Sequence, residues 1–172
     1  MKKYLNNQGF TLMELLIAIS IFSLLITFVV VNYVSNEESR LLKLEASKIL
    51  DGLQKTENMS ITGQIFDSFV PSVYEFHLSN CSDNCYYVLS VKDALGNSKE
   101  LENQKLNRIG INILGGNDVL FRFLPPRGRL EIIVNEIIKP SIKIDLGNNE
   151  NFYCLEASSI SGRISLKDGS CQ

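Results

Sequence analysis

Gly9-Phe10-Thr11-Leu12-Met13-Glu14-Leu15-Leu16-Ile17 is the stretch on which the reading of this chain turns. Before it the sequence is largely polar and carries Lys2 and Lys3. After it an uncharged apolar run continues to Val31, so Glu14 is the only charge between Phe10 and Val31. A bilayer is crossed by about 20 helical residues, and residues 10–35 read as a helical segment that spans a membrane, with 10–34 in lipid. An acidic side chain at the centre of a bilayer costs about 2.5–3.5 kcal/mol on insertion scales, so a carboxylate in such a run marks a functional residue. A secretory signal places its small-residue cleavage site after the apolar core. Here the polar break, Gln8-Gly9, comes before it.

That order resembles the class III signal of type IV pilins and type II secretion pseudopilins. The resemblance implies that a prepilin peptidase cuts after Gly9, removes residues 1–9 as a leader, and methylates the new amino terminus at Phe10. The apolar helix then stays on the mature protein. Glu14 matches the family's glutamate, fifth after the cut, and the implied role is in assembly. The chemistry supports that role. Cleavage creates an α-amine with a reference pKa of about 7.7–8.0, and Phe10 and Glu14 are four residues apart, on one helix face. The carboxylate can meet its own amine or that of a neighbouring subunit, and either pairing offsets the desolvation of a buried charge. The residues leave both partners open. The resemblance points to the neighbour, with Glu14 setting the axial register of assembly.

The totals agree with one modest domain and an extended helix: 172 residues, with 17 Lys and Arg against 19 Asp and Glu. Loss of Lys2 and Lys3 with the leader leaves 15 basic against 19 acidic side chains, −4 in all. A whole-domain nucleic-acid binder is usually basic. Lys2 and Lys3 before the span, with Glu37 and Glu38 after it, put the short amino terminus inside. The chain would then be a single-pass protein of the bacterial inner membrane, its 36–172 domain outside the cytoplasm.

From residue 36 to about Thr62 the helix continues. Leu42, Ala46, Ile49, Leu50 and Leu53 make one stripe. Asp51 and Lys55 stand at i, i+4, a spacing worth a few tenths of a kcal/mol when the pair forms. Gly52 costs up to about 1 kcal/mol against Ala and predicts a bend or weakening there. A continuous helix from Phe10 to Thr62 would be about 80 Å long, more than a small domain can enclose.

After Gly63 the period changes to two. Tyr74-x-Phe76-x-Leu78, Tyr87-x-Leu89-x-Val91, Ile109-x-Ile111-x-Ile113, Val119-x-Phe121-x-Phe123, Ile142-x-Ile144-x-Leu146 and Ile164-x-Leu166 read as half-buried antiparallel strands. Gly-, Pro- and Asn-rich turns separate several of them, among them Leu95-Gly96-Asn97 and Pro125-Pro126-Arg127-Gly128. One long helix (36–62 within the exported domain) followed by a β-rich 70–172 predicts an α+β fold, the helix lying on antiparallel sheet.

The second half carries its own resemblance. Phe121-Arg122-Phe123-Leu124-Pro125-Pro126-Arg127-Gly128, the strand at Glu131–Val134, Ile142-Lys143-Ile144 and Ser161-Gly162-Arg163-Ile164 are similar to the carboxyl-terminal pattern of the GspH/FimT family of minor pseudopilins and pilins. The family implies two small sheets packed on the helix. It also implies a structural role near the tip of a type II secretion pseudopilus or type IV pilus. The implied partners are other pilins, the prepilin peptidase and an inner-membrane assembly platform. The DNA-uptake branch of the family carries Gly-Arg-x-Arg. Here the matching stretch is Gly162-Arg163-Ile164-Ser165, with serine in place of the second arginine. DNA contact through Arg163 and Lys167 is the alternative function. It is weakened by that loss, because phosphate contacts dominate DNA affinity, and by Glu131, Asp145, Glu156 and Asp168 among the basic residues.

Four cysteines in an exported domain predict two disulfides, and four cysteines permit three pairings. The preferred one closes a small loop at Cys81–Cys85 and a terminal loop at Cys154–Cys171. Zinc would need two close pairs, and the sequence has one. His77, the single histidine, falls on the polar side of its strand. Asp145, Asn148, Asn149 and Glu150 supply oxygen ligands of the kind calcium takes, but read better as a polar turn. No phosphate loop, zinc-protease helix or Gly-x-Ser-x-Gly elbow is present. The expectation is therefore a non-enzyme without metal or cofactor.

Overall fold

The computed structural model describes residues 11–82, 85–107, 109–148 and 151–171, with side chains described for all of these except 28–36. The elements run α1 (Leu12–Thr62), β1 (Val73–Ser79), β2 (Tyr86–Lys92), β3 (Ser98–Lys105), β4 (Gly110–Ile113), β5 (Asp118–Leu124), β6 (Arg129–Val134), β7 (Ile137–Lys139), β8 (Ser141–Gly147), β9 (Phe152–Ser158) and β10 (Arg163–Asp168). The chain divides into two compact units, Met1–Ser39 and Arg40–Gln172. The first holds the beginning of α1. The second holds the rest of the helix and every strand named above.

Within the second unit the fold is α+β, with helix packed on antiparallel sheet. The predicted stripe is the core-facing side of α1: Leu42, Ala46, Ile49 and Leu53 are buried, Leu50 is only partly buried at its margin, and Met59 extends the line. Gly52 lies on this face, and its role differs from the sequence reading. The helix runs through it unbroken. A Cβ at Gly52 would come 2.7 Å from a ring carbon of Phe76 and 3.3 Å from the ring of Tyr87, two rings stacked with centroids 4.8 Å apart. The missing side chain lets the helix backbone approach the sheet, and that packing offsets the intrinsic helix cost of glycine. The Asp51–Lys55 spacing is not used. Lys55 instead reaches the sheet, its Nζ 2.5 Å from Glu102 of β3.

The larger sheet has six strands in the order β3-β2-β1-β5-β6-β7, antiparallel throughout. Its inward residues are the alternating apolar sets of the sequence, Tyr74/Phe76/Leu78, Tyr87/Leu89/Val91 and Val119/Phe121/Phe123, joined by Leu130/Ile132/Val134. The smaller sheet has the order β10-β9-β8-β4. It turns Ile142, Ile144, Leu146, Tyr153, Leu155 and Ala157 into the same core. Ile164 and Leu166 of the edge strand β10 are packed there but only half-buried.

The Pro125–Gly128 turn shows why its sequence is special. Pro125-Pro126 is a cis peptide. Gly128 has φ 62°, and a Cβ there would lie 2.8 Å from Ile61 of the last helical turn. Glycine is needed both for the left-handed backbone and for the close approach.

On the outer face of the large sheet Glu75 is buried. Its carboxylate is held by Lys92 (2.9 Å) and Arg122 (3.2 Å), the pairing that a desolvated charge requires. The sheet's two edges are of the kind that resists unwanted pairing. At one edge β3 carries Lys99, Glu100, Glu102 and Lys105, and at the other β7 has three residues followed by Pro140.

Candidate functional site

The amino-terminal site begins at Thr11, because Gly9 and Phe10, the cleavage and methylation positions, lie outside the described residues. Thr11 precedes the first helical residue, and Glu14 sits in the first turn. The Thr11 backbone N–H and hydroxyl both donate to Glu14 Oε2 at 3.0 Å, and the Glu14 N–H donates to Thr11 Oγ1 at 3.3 Å. This is a capping box: two N-terminal N–H groups that lack helical partners are satisfied reciprocally. The signal for it, Thr-x-x-Glu ahead of an apolar run, is present in the sequence. It was obscured there by reading Glu14 only as a counter-ion for the amine.

From Leu12 to Ile26 every large apolar side chain is more than half exposed. The polar residues among them satisfy themselves: the hydroxyls of Ser20, Ser23 and Thr27 each donate to the carbonyl four residues back at 2.8–2.9 Å. A helix apolar on all sides is one that is covered on all sides, by protein or by lipid. Among the described residues no helix is long and apolar enough to cross a membrane. The described side chains of the apolar run end at Thr27, short of the about 20 residues a crossing takes. Phe10 and the side chains of 28–34, the remainder of the span read from sequence, lie outside the description.

The two candidate DNA contacts, Arg163 and Lys167, share one surface. A groove of about 300 Å³ lies on the outer face of the small sheet. Its rows follow from strand register: Ser141, Ser158 and Arg163 stand abreast, then Lys143, Glu156 and Ser165, and Lys167 borders it one step further along β10. Glu156 is the hub. Lys167 donates to its Oε2, and Lys143 Nζ lies 3.8 Å from Oε1. The hydrogen bond from Lys167, with the positive fields of Lys167, Lys143 and Arg163, holds the Glu156 carboxyl below the ordinary glutamate range. Lys167 is thus committed within the fold, whereas Arg163 acts on Glu156 only through its field, without a direct salt bridge among the described residues. Ser165, where the DNA-uptake pattern has its second arginine, pairs in register with Glu156.

Both disulfides are formed as preferred from spacing, Cys81–Cys85 and Cys154–Cys171. The second closes over the end of the small sheet, where the Cys171 N–H donates to Asp145 Oδ1 at 2.5 Å. The polar turn after β8 is built by Asn148, whose Oδ1 accepts the Asn151 N–H at 2.9 Å. Asn149 and Glu150 lie outside the described residues. Among the described residues no three His, Cys, Asp or Glu side chains gather as a metal site. His77 is partly exposed on the outer face of the large sheet, with Nε2 3.8 Å from Asp118 Oδ1.

Residues 4–30 match the family model described as the prokaryotic N-terminal methylation motif. No curated protein and no solved structure matches the chain. The motif supports a type IV pilin-like protein, and it implies processing by a prepilin peptidase and assembly with other pilins.

Proposed function

We propose that this chain is a minor pseudopilin or minor pilin of the GspH/FimT type. It is cut after Gly9, methylated at Phe10, and built into a type II secretion pseudopilus or type IV pilus at or near the tip. The observation that carries the proposal is the methylation motif over residues 4–30, within which the apolar side chains from Leu12 to Ile26 stand exposed. Residues 10–34 would anchor the precursor in the bacterial inner membrane and then pack against neighbouring subunits. The α+β domain from residue 36 onward, stapled by two disulfides, suits an oxidising space outside the cytoplasm. Its role is structural and not enzymatic, without a cofactor, and its partners are other pilins, the prepilin peptidase and an assembly platform. Recovery of the chain in sheared pili or pseudopili, and its loss from that fraction when the prepilin peptidase is deleted, is the expected result. A chain that stays wholly in the membrane fraction beside an assembled pilus would overturn it.

DNA uptake is the second reading, favoured by the meeting of Arg163, Lys143 and Lys167 around one groove. Glu156 at its centre and the −4 of the mature chain oppose it. At about 150 mM salt, near physiological ionic strength, a gel-shift with duplex DNA is expected to show weak or no binding by the wild type. Tight binding abolished by Arg163→Gln would make DNA uptake the function.

A further inference from the structure

The small sheet ends at β10, and the outer edge of that strand is unpaired among the described residues. Strand register says which main-chain groups lie there. Opposite residues of an antiparallel pair alternate between those that exchange N–H···O bonds and those that do not. The Gly169 N–H donates to the Phe152 carbonyl at 2.9 Å. That bond is in step with the β9–β10 register, in which Arg163 meets Ser158, Ser165 meets Glu156 and Lys167 meets Cys154. These residues therefore bond to β9, and the N–H and C=O groups of Ile164, Leu166 and Asp168 point to the open side. Ile164 and Leu166 pack on the core but are only half-buried, because no strand beyond β10 covers them.

The other sheet edges are taken or guarded. On β4, Cys81 and Ile111 exchange backbone bonds at 3.0 and 2.8 Å. β3 has a single apolar residue, Leu101, and β7 stops before Pro140. A lysine on an edge strand ordinarily blocks pairing, but Lys167 is drawn across to Glu156 of β9. Arg163 also acts on Glu156 through its field, and Lys143 Nζ lies 3.8 Å from its Oε1. One carboxylate thus serves three cations. Asp145 of β8 already accepts the Cys171 N–H, and Asp168 falls on the opposite face of β10. The outer side of this edge keeps an excess of positive charge.

We propose that β10 takes an added strand from a different pilin subunit, an extended segment in which apolar and acidic residues alternate. Its main chain bonds to Ile164, Leu166 and Asp168, the β-augmentation by which a sheet edge binds a peptide. Its apolar side chains complete the cover of Ile164 and Leu166, and its carboxylates stand on the side of Arg163 and Lys167. Charge disfavours a second copy in that place. Antiparallel self-pairing with Ile164 opposite Leu166 would set Arg163 opposite Lys167, and like charges directly opposite are destabilising. The contact deepens the subunit reading by naming a partner surface, and rests on that reading.

The test uses the full-length chain in cells that carry its machinery, with a photo-crosslinking benzophenone amino acid in place of Ser165. The same amino acid in place of Leu16 reports helix-to-helix assembly independently. Illumination should join position 165 to a different subunit, within a segment that alternates apolar and acidic residues. Leu166→Ala shortens the side chain and keeps the N–H. Leu166→Pro also removes the N–H that faces the partner, a change an edge strand tolerates. Leu166→Pro should give about tenfold less of the 165 product than Leu166→Ala, with the Cys154–Cys171 bridge intact in both. Arg163→Gln, which leaves the backbone alone, should cut the product about threefold, and it decides by itself if Leu166→Pro loses the bridge. Four outcomes would overturn the contact: Leu16 products with no 165 product, position 165 joined to another copy of this chain or to nucleic acid, equal yields from Leu166→Pro and Leu166→Ala, or a yield indifferent to Arg163→Gln. In each of these the Leu16 products leave the subunit reading standing. Loss of the Leu16 and 165 products together overturns contact and reading alike.

Discussion

At the scale of single residues, Glu14 has two duties that substitution can separate. Its carboxylate closes a capping box on Thr11, and in the processed chain it also lies one helical turn from the amine of Phe10. Glu14→Gln keeps an acceptor for the Thr11 N–H but removes the charge. Glu14→Val removes both and leaves only the Thr11 half of the box, the bond from the backbone N–H of residue 14 to Thr11 Oγ1. We expect both variants to insert and both to assemble poorly, because the amine loses its counter-charge in each. Normal incorporation of Glu14→Gln, measured by cross-linking to neighbouring subunits, would assign Glu14 to the helix cap alone. Glu102 offers a second test. The hydrogen bond from Lys55, seconded by one from Tyr87, holds its carboxyl below the ordinary glutamate value of 4.5. Burial, then Glu102 itself, pushes the Tyr87 hydroxyl well above the ordinary tyrosine range. The folded state therefore binds fewer protons at Glu102 than the unfolded state does. This contribution to stability is complete above the unfolded value and is lost as pH falls through the depressed folded value. Melting temperatures of wild type and Glu102→Gln should differ at pH 7 and converge as pH drops below 4.5. A gap that stays constant with pH would show that Lys55 and Glu102 do not couple.

Among elements, the α1–sheet contact is the one most open to test. Gly52→Ala raises intrinsic helix propensity by about 1 kcal/mol. The new methyl, however, meets the ring of Phe76, which is fully buried and stacked on Tyr87. Overpacking of a filled core typically costs about 1–3 kcal/mol, so a net loss of stability on chemical denaturation is expected. A stabilised Gly52→Ala would mean that the helix stands further from the sheet than described. This site was not legible in the sequence as packing, because a glycine announces its propensity and not its neighbours. Elements with a clean apolar period were legible: β1, β2, β5 and β8 each place on the inside the residues whose alternation marked them, and the α1 stripe does so for all but the half-buried Leu50. Three strands were not identified. β3 is Ser-Lys-Glu-Leu-Glu-Asn-Gln-Lys, an edge strand whose single apolar residue cannot display a period. β7 has three residues and pairs on one side only. β9 did carry a usable signal, Tyr153, Leu155 and Ala157 alternating with Cys154 and Glu156. The Asp51–Lys55 spacing misled because Glu102, distant in sequence, offered Lys55 a better partner.

For the whole molecule, a one-dimensional pattern and a three-dimensional one carry different parts of the reading. The order of polar leader, glycine, apolar helix and β-rich domain is linear and could be read directly. The gathering of Arg163, Lys143, Lys167 and Glu156 on one face depends on the order β10-β9-β8, and spacing alone does not show that Glu156 commits Lys167. The central claim is that the chain matures as a pilin, through cleavage between Gly9 and Phe10 and methylation of the new amine. Mass spectrometry of the amino-terminal peptide, taken from the membrane form in cells with their prepilin peptidase, tests it most directly. A peptide beginning with N-methylated Phe10, replaced by an intact leader in Gly9→Val, is the result predicted. A chain that retains residues 1–9, or that is cut after the apolar run, would contradict it.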